Sequence, residues 1–366
     1  MKITAAVVRE KAQPFTIEEL ELDNPQADEV LVRIVATGLC HTDLIVRDQY
    51  YPVALPAVLG HEGAGIVEQV GDRITKVKPG DRVVLSYLSC GHCVNCQTGH
   101  LSYCHQFSIC NLGGVRFDGS TTLHKNGQVI YGNFFAQSSF ATYALAKERN
   151  IVKVREDVPL ELLGPLGCGI QTGAGAVLNS LDAEMGSSIA IFGAGSVGLS
   201  AVMAAVIAGC TTIIAIDLNP KRLQMAKELG ATHVINAGET NPVESILQMT
   251  DSGVNYSLET TGLPQVFRQA VDSLTRLGVC GLIGATPLGT EVTFDMNHIL
   301  SGRMIRGILE GDSIPDLFIP QLIELYLQGR FPFDRLITFY NLEQINQAAE
   351  DSEQGRVIKP VLRMPA

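Results

Sequence analysis

Ser188-Ile189-Ala190-Ile191-Phe192-Gly193-Ala194-Gly195-Ser196-Val197-Gly198 reads as a short apolar strand, a glycine turn and the first turn of a helix. The glycines fit G-x-G-x-x-G, a weak signal when it stands alone. Here the next strand, Thr212 to Asp217, ends on an acid about twenty residues further on, the arrangement of a dinucleotide-binding βαβ unit. Gly193 allows the tight turn, Gly195 lets the backbone approach a pyrophosphate at the helix N-terminus, and Gly198 lets helix and strand pack closely. Asp217 is expected to accept hydrogen bonds from both ribose hydroxyls. A carboxylate there repels a 2′-phosphate, which favours NAD over NADP. The competing reading, a glycine turn in an ordinary α/β domain, does not account for the placement of Asp217.

The pattern continues on both sides. Ser196 to Ala208 and Lys221 to Leu229 read as helices, and His233 to Ile235, Tyr256 to Glu259 and Val279 to Ile283 as strands. Near-continuous apolar strands alternating with helices indicate a doubly wound parallel sheet covered on both faces. Before about residue 150 the chain reads differently. Glu29 to Val35, Gly65 to Val70 and Arg82 to Leu85 are β-branched runs separated by Gly71-Asp72 and Pro79-Gly80-Asp81 turns. Met1 to Arg9 reads as a first strand, and 111–132 as a long loop rich in Gly, Asn and Thr. The tail holds helices over Ile314 to Leu327 and Leu342 to Glu350 and a last strand, Val357 to Leu362.

A chain of 366 residues with 46% hydrophobic and 18% charged side chains suits two domains with large cores. A net charge of −11 argues against a nucleic-acid partner, because phosphate binding needs a basic face. The N-terminus is too short and too soon charged for a secretory leader. The longest apolar run, Val197 to Ala208, is too short to span a bilayer. The expectation is a cytoplasmic protein with no membrane partner.

Nine cysteines are present, and four crowd together as Cys90-x2-Cys93-x2-Cys96-x7-Cys104. Two-residue gaps let one loop wrap a tetrahedral ion, and four sulfurs leave no open position, so this reads as a structural zinc site. A second candidate metal set begins in Thr37-Gly38-Leu39-Cys40-His41-Thr42-Asp43 and Gly60-His61-Glu62-Gly63. A thiol and an imidazole suit zinc. Two ligands alone do not distinguish a metal site from a buried thiol and a satisfied histidine, and a third must come from elsewhere.

Gly60-His61-Glu62-x2-Gly65-x5-Gly71, the four-cysteine lobe and the glycine fingerprint, in that order, resemble the zinc-dependent medium-chain alcohol dehydrogenases over essentially the whole chain. Within that family the chain is similar to the bacterial aryl-alcohol (benzyl alcohol) dehydrogenases. The likeness lies in Cys40 to Leu44 with Arg47-Asp48-Gln49, Phe134 to Phe140, Leu162 to Gly175 and Gly329 to Asp334. Bacterial dehydrogenases of allylic terpene alcohols look alike over the same segments.

The resemblance implies an α/β chain with a β-rich GroES-like catalytic domain over 1–165 and 307–366, its zinc lobe at about 88–106, and a Rossmann domain over 166–306. It supplies Cys168 as the third ligand, so Cys40, His61 and Cys168 would hold a catalytic zinc with one open position. Two zinc ions per chain and NAD are the cofactors implied. Asp43 would orient His61, Glu62 would sit behind the metal, and Thr42 would take the alcohol proton. His41, Thr172, Arg222, Ile283, Ala285 and Lys359 would join Gly193, Gly195, Gly198 and Asp217 in contacting the cofactor. His41 and Lys359 stand where arginines are familiar, and Ile45 replaces the histidine that ends the familiar proton path. The remaining thiols, Cys110, Cys210 and Cys280, have no such role.

The activity implied is NAD-dependent oxidation of benzyl-type primary alcohols to aldehydes, with geraniol-type allylic alcohols as the alternative. Polyol and glutathione-adduct oxidation fit less well, since the first is expected to replace Cys168 with a carboxylate and the second needs a cationic pocket. A catalytically silent NAD-binding protein is the non-enzyme alternative, and retention of Cys40, Thr42, His61 and Cys168 argues against it. Phe135, Phe140, Tyr87 and Leu112 are apolar candidates for the substrate wall. The Met304 to Leu309 strand resembles the edge through which the family forms homodimers and homotetramers.

Overall fold

The computed structural model describes residues 1–365 and divides into two compact units. The first comprises residues 1–168, 314–322 and 334 to the end of the described chain. The second comprises 169–313 and 323–333. Cys40, His61 and Cys168 therefore belong to one unit.

The first unit is built on two sheets. In the larger, the order is Ile151–Lys153, Arg82–Leu85, Glu62–Val70, Glu29–Gly38, Lys359–Arg363 and Ile337–Asn341, with Tyr143–Lys147 also paired to Glu29–Gly38. Glu29–Gly38 is its spine, because it pairs antiparallel with three neighbours. Its alternating Val30, Val32 and Ile34 pack with Val67, Val83, Leu85 and Ala144 into one core, the period-two pattern of a strand with a buried face. Register sets the site here, since Gly38 pairs with Glu62 and Thr37 with Gly63. That places the segment after Gly38 beside the segment before Glu62.

The smaller sheet runs Ala57–Val58, Lys2–Val8, Thr16–Leu22, Leu123–Lys125 and Gln128–Ile130. The last two strands lie inside 111–132, where a long loop was expected. They form a hairpin around Asn126 and Gly127, both left-handed at φ 50° and 78°. Asn-Gly is a strong two-residue hairpin signal, and the loop reading overlooked it.

The second unit is a six-stranded sheet, parallel throughout. Its order is His233–Asn236, Thr212–Asp217, Ser188–Phe192, Val254–Glu259, Leu274–Leu282 and Met304–Gly307. The chain starts at the centre, winds outward to one side, then returns to wind to the other, so the strand order reverses beside Ser188–Phe192. Ligands of open parallel sheets sit at the carboxyl ends of the strands at that reversal. Phe192, Ile214, Ile216, Ile246, Phe267 and Val271 form a core between sheet and helices. Helix Ser196–Ala208 spans the expected residues directly after the glycine turn, and left-handed Gly209 ends it. Helices Pro220–Glu228 and Pro242–Thr250 each start with proline at the first position and an asparagine cap, Asn219 and Asn241.

Candidate zinc and dinucleotide sites

Cys40 caps the short helix His41–Arg47, directly after the central strand. Asp43, in the first turn of that helix, is wholly buried, and both carboxylate oxygens are engaged. Oδ2 accepts from Cys40 N at 2.9 Å. Oδ1 accepts from Gly60 N at 3.1 Å and meets His61 Nδ1 at 2.8 Å. A carboxylate oxygen accepts, so Nδ1 turns its proton to Asp43 and the ring presents Nε2 to the neighbouring sulfurs. One carboxylate thus fixes the position of Cys40 and the orientation of His61.

His61 is fully buried and its Nε2 has no hydrogen-bond partner. A buried ring nitrogen without a partner costs free energy unless something binds it. Donor atoms of Cys40, His61, Glu62 and Cys168 all lie within 4.8 Å of one another, so the orphaned nitrogen stands among two thiols. This donor set fits a zinc ion. The Cys40 thiol pKa is held well below its ordinary value, chiefly by the Cys168 thiol and also by the Lys359 charge, against the effect of burial. That favours the thiolate, which is the ligating form.

Thr42 Oγ1 lies 3.7 Å from Cys40 Sγ. Ile45, on the same helix, is buried. Lys359, expected to contact a pyrophosphate, is tied to Glu62 within the first unit. It is 1% exposed, and its Nζ donates to Glu62 Oε1 at 2.8 Å and Oε2 at 2.9 Å. Burial lowers the pKa of this ammonium, yet Glu62 outweighs burial and holds it above the ordinary value. A lysine so enclosed serves the carboxylate behind the candidate metal ligands. The pair joins positions far apart in sequence, which is why the sequence reading missed it. His41 is exposed.

The Phe134–Ser138 segment packs over His61. Phe135 stacks on the imidazole at 4.6 Å and 29°, and Phe134 meets it edge-on at 5.5 Å. Gln137 Nε2 donates to His61 O at 3.0 Å, and its Oε1 accepts from Gly63 N at 3.1 Å. Phe135, Ala136 and Ser138 hold φ near +50°, a costly conformation for residues with side chains. Phe107 stands edge-on to Phe135 at 6.3 Å, and Tyr87 lies 6.0 Å from Phe107. An aromatic row therefore runs outward from the histidine. Phe140 is not in it; that ring is fully buried against Phe15. Leu112 packs at the edge of the core that holds Phe15, Phe134 and Phe140.

The four-cysteine lobe closes on itself. All four sulfurs lie within 4.8 Å of one another. Cys93 and Cys96 are 3.5 Å apart, and Cys90 and Cys96 3.9 Å. Tetrahedral zinc with Zn–S near 2.3 Å requires S···S of about 3.8 Å, so the spacing fits. Backbone N–H groups of Cys90 and Gln106 point at Cys104 Sγ at 3.2 and 3.4 Å, stabilising negative sulfur. Cys110, Cys210 and Cys280 are buried.

In the second unit, Gly193 has φ 98°, and a side chain on Gly198 would collide with Gly193 O. Both positions therefore need glycine. Asp217 is held in place: Oδ2 accepts from Ala194 N at 2.7 Å and Oδ1 from Asn219 N at 2.8 Å. A cavity of about 230 Å³ lies beside it, lined by Gly193, Asp217, Arg222, Thr261, Leu263 and Gln269. Arg222 Nε is buried there without a partner. Thr172, on helix Gly169–Gly175, is 7% exposed, with Oγ1 3.5 Å from Glu310 Oε2. Ile283 N donates to Glu259 O. Glu259 and Glu310 carry no local motif that marks them, and the sequence reading passed over both.

Residues 26–156 match the family model of the alcohol dehydrogenase GroES-like domain, and residues 196–327 that of the zinc-binding dehydrogenases. The chain is 48% identical to a geraniol dehydrogenase from Castellaniella defragrans over 98% of its own length and 96% of that protein's. A benzyl alcohol dehydrogenase structure from Acinetobacter calcoaceticus superposes with a TM-score of 0.97 at 52% identity, covering both chains completely. An alcohol dehydrogenase zinc-binding domain protein from Burkholderia ambifaria does so with a TM-score of 0.98 at 60% identity, again over both whole chains. No helix among the described residues is long and apolar enough to cross a membrane. With its GroES-like and Rossmann folds and two cysteine-rich candidate metal sites, this chain belongs to the zinc-dependent medium-chain alcohol dehydrogenases.

Proposed function

We propose that the protein oxidises benzyl-type primary alcohols to aldehydes with NAD, at a centre formed by Cys40, His61 and Cys168. The observation that carries this reading is the buried, partnerless His61 Nε2 among the two thiols. Bound zinc supplies a Lewis acid that lowers the pKa of an alcohol hydroxyl, and the bound nicotinamide supplies the hydride acceptor. The chain's own residues do the rest. Asp43 fixes His61 and the turn at Cys40. Thr42 Oγ1 accepts the hydroxyl proton. Ile45 carries no proton, so Thr42 passes its own on by the cofactor ribose and water or by another group such as His41. The Glu62–Lys359 pair backs the ligands. Cys90, Cys93, Cys96 and Cys104 hold the second, structural zinc. Gly193, Gly195, Gly198, Asp217 and Arg222 bind the dinucleotide, and the Asp217 carboxylate selects NAD. Thr172, Ile283 and Ala285 flank the nicotinamide.

Phe135, Phe107 and Tyr87 favour an unsaturated substrate, because a flat π-system packs face or edge against aromatic rings. An allylic alcohol such as geraniol is the second reading, favoured by the 48% identity to the Castellaniella enzyme. We further propose a cytoplasmic homo-oligomer joined through the exposed Met304–Gly307 edge strand. A panel of benzyl, cinnamyl, geranyl and short aliphatic alcohols with NAD, followed at 340 nm, tests the substrate class. The highest kcat/KM is expected for benzyl alcohol. A geraniol value tenfold higher would move the assignment to terpene alcohols, and ethanol turned over as efficiently would remove both.

A further inference from the structure

Glu259 ends strand Val254–Glu259 and is wholly buried. Its carboxylate is surrounded by donors from the turn that follows. Oε1 accepts from Thr261 N at 2.6 Å and from the Thr261 hydroxyl, and both oxygens accept from Gly262 N at 3.0 Å. The turn touches the cofactor loop directly. Thr260 Oγ1 donates to Phe192 O at 2.8 Å and to Gly193 O at 3.2 Å, the carbonyls that open the glycine fingerprint. Thr261 and Leu263 line the cavity beside Asp217. The Glu259 backbone carbonyl accepts from Ile283 N at 2.9 Å and Gly284 N at 3.1 Å.

We infer that Glu259 is a positioning residue for the dinucleotide, its carboxylate shaping the Thr260–Leu263 turn that braces the glycine loop and walls the cavity beside Asp217. A carboxylate suits this place because both oxygens only accept, whereas an amide would present two N–H groups to a turn already full of donors. Burial raises the pKa of this carboxyl, and the donors of Thr261, Gly262 and Leu263 pull against it. An amide oxygen can still serve Thr261, but its N–H group then faces Gly262 N, which loosens the turn and the support of Thr260 for Gly193. This inference rests on the dinucleotide reading of the same unit.

The test is NADH binding to the zinc-loaded enzyme, followed by nucleotide fluorescence, alongside KM for NAD, kcat and thermal midpoint. Glu259→Gln is expected to raise the NADH Kd and the NAD KM about tenfold, the effect of losing one or two hydrogen bonds to a charged group, while kcat at saturating NAD changes much less. Thr260→Val, which removes only the hydroxyl link to Phe192 and Gly193, is expected to raise both about three- to fivefold, and it decides the matter if Glu259→Gln does not fold. Unchanged NADH Kd in both variants, with a lowered thermal midpoint, would show a purely structural acid and overturn the inference. Failure of the wild-type protein to bind NADH would remove the dinucleotide reading, a result separate from any behaviour of the variants.

Discussion

Replacing Lys359 by methionine isolates the charge behind the candidate zinc ligands. Methionine is close to lysine in length and shape, so packing is largely retained while the ammonium is lost. Glu62 is fully buried, and two of its contacts are to Lys359 Nζ, at 2.8 and 2.9 Å. Removing one partner of such a pair leaves an uncompensated buried charge, typically a loss of about 3–5 kcal/mol. For a unit of this size each kcal/mol shifts the melting temperature by about 2–4 °C, so a drop of roughly 6–20 °C is expected. The effect has a pH signature. Burial already pushes the Glu62 carboxyl above its ordinary range, against the pull of Lys359, and losing the ammonium pushes it further. An acid whose folded pKa is raised binds its proton more tightly folded than unfolded, so lowering the pH stabilises the variant relative to wild type. The deficit is therefore smaller at pH 5.5 than at pH 8. Adding Glu62→Gln to Lys359→Met removes the orphaned charge and restores at least half of the loss. Calorimetry of the zinc-loaded proteins at both pH values checks this. A single variant melting within about 2 °C of wild type, or a double variant no better than the single, would refute the argument.

Two further variants separate the metal sites. Asp43→Asn leaves the shape but offers an amide where Cys40 N, Gly60 N and His61 Nδ1 all need an acceptor; zinc affinity at the catalytic set or kcat/KM falls about 10- to 100-fold, while the second zinc, counted by elemental analysis, stays. Cys96→Ser breaks the closed lobe; the protein is expected to hold one zinc instead of two and to unfold at lower denaturant, and a variant that kept both ions would exclude Cys96 as a ligand.

What the sequence reveals and what it hides divides along chain separation. The glycine turn, the helix from Ser196 and the acid at Asp217 are local and periodic, and the structure reproduces them. The cysteine lobe is local too, so spacing alone indicates a closed cluster. Lys359 is different: its partner lies 297 positions away, and no window of sequence couples the two. In the sequence Phe135 is one apolar candidate among several, because its stacking on His61 depends on a left-handed backbone that composition does not forecast. The Asn126-Gly127 hairpin was legible, but a glycine- and asparagine-rich context obscured it. Glu259 looks like an ordinary strand-end acid until its donors are seen.

The two candidate metal sites differ in how much chain must be organised before an ion can be held. The lobe closes between Cys90 and Cys104, 14 positions apart, whereas Cys40 and Cys168 are 128 apart (104 − 90 and 168 − 40). Loop-closure entropy makes the wider pair costlier by about 2 kcal/mol before any packing is counted, and His61 is aimed only once the central strands have paired. During synthesis the lobe's four thiols can capture zinc as soon as they emerge, while the Cys40 set must wait for Cys168 and a formed sheet. The order expected under zinc scarcity is therefore the lobe first and the Cys40 set last, leaving a folded, partly loaded population that added zinc activates without refolding.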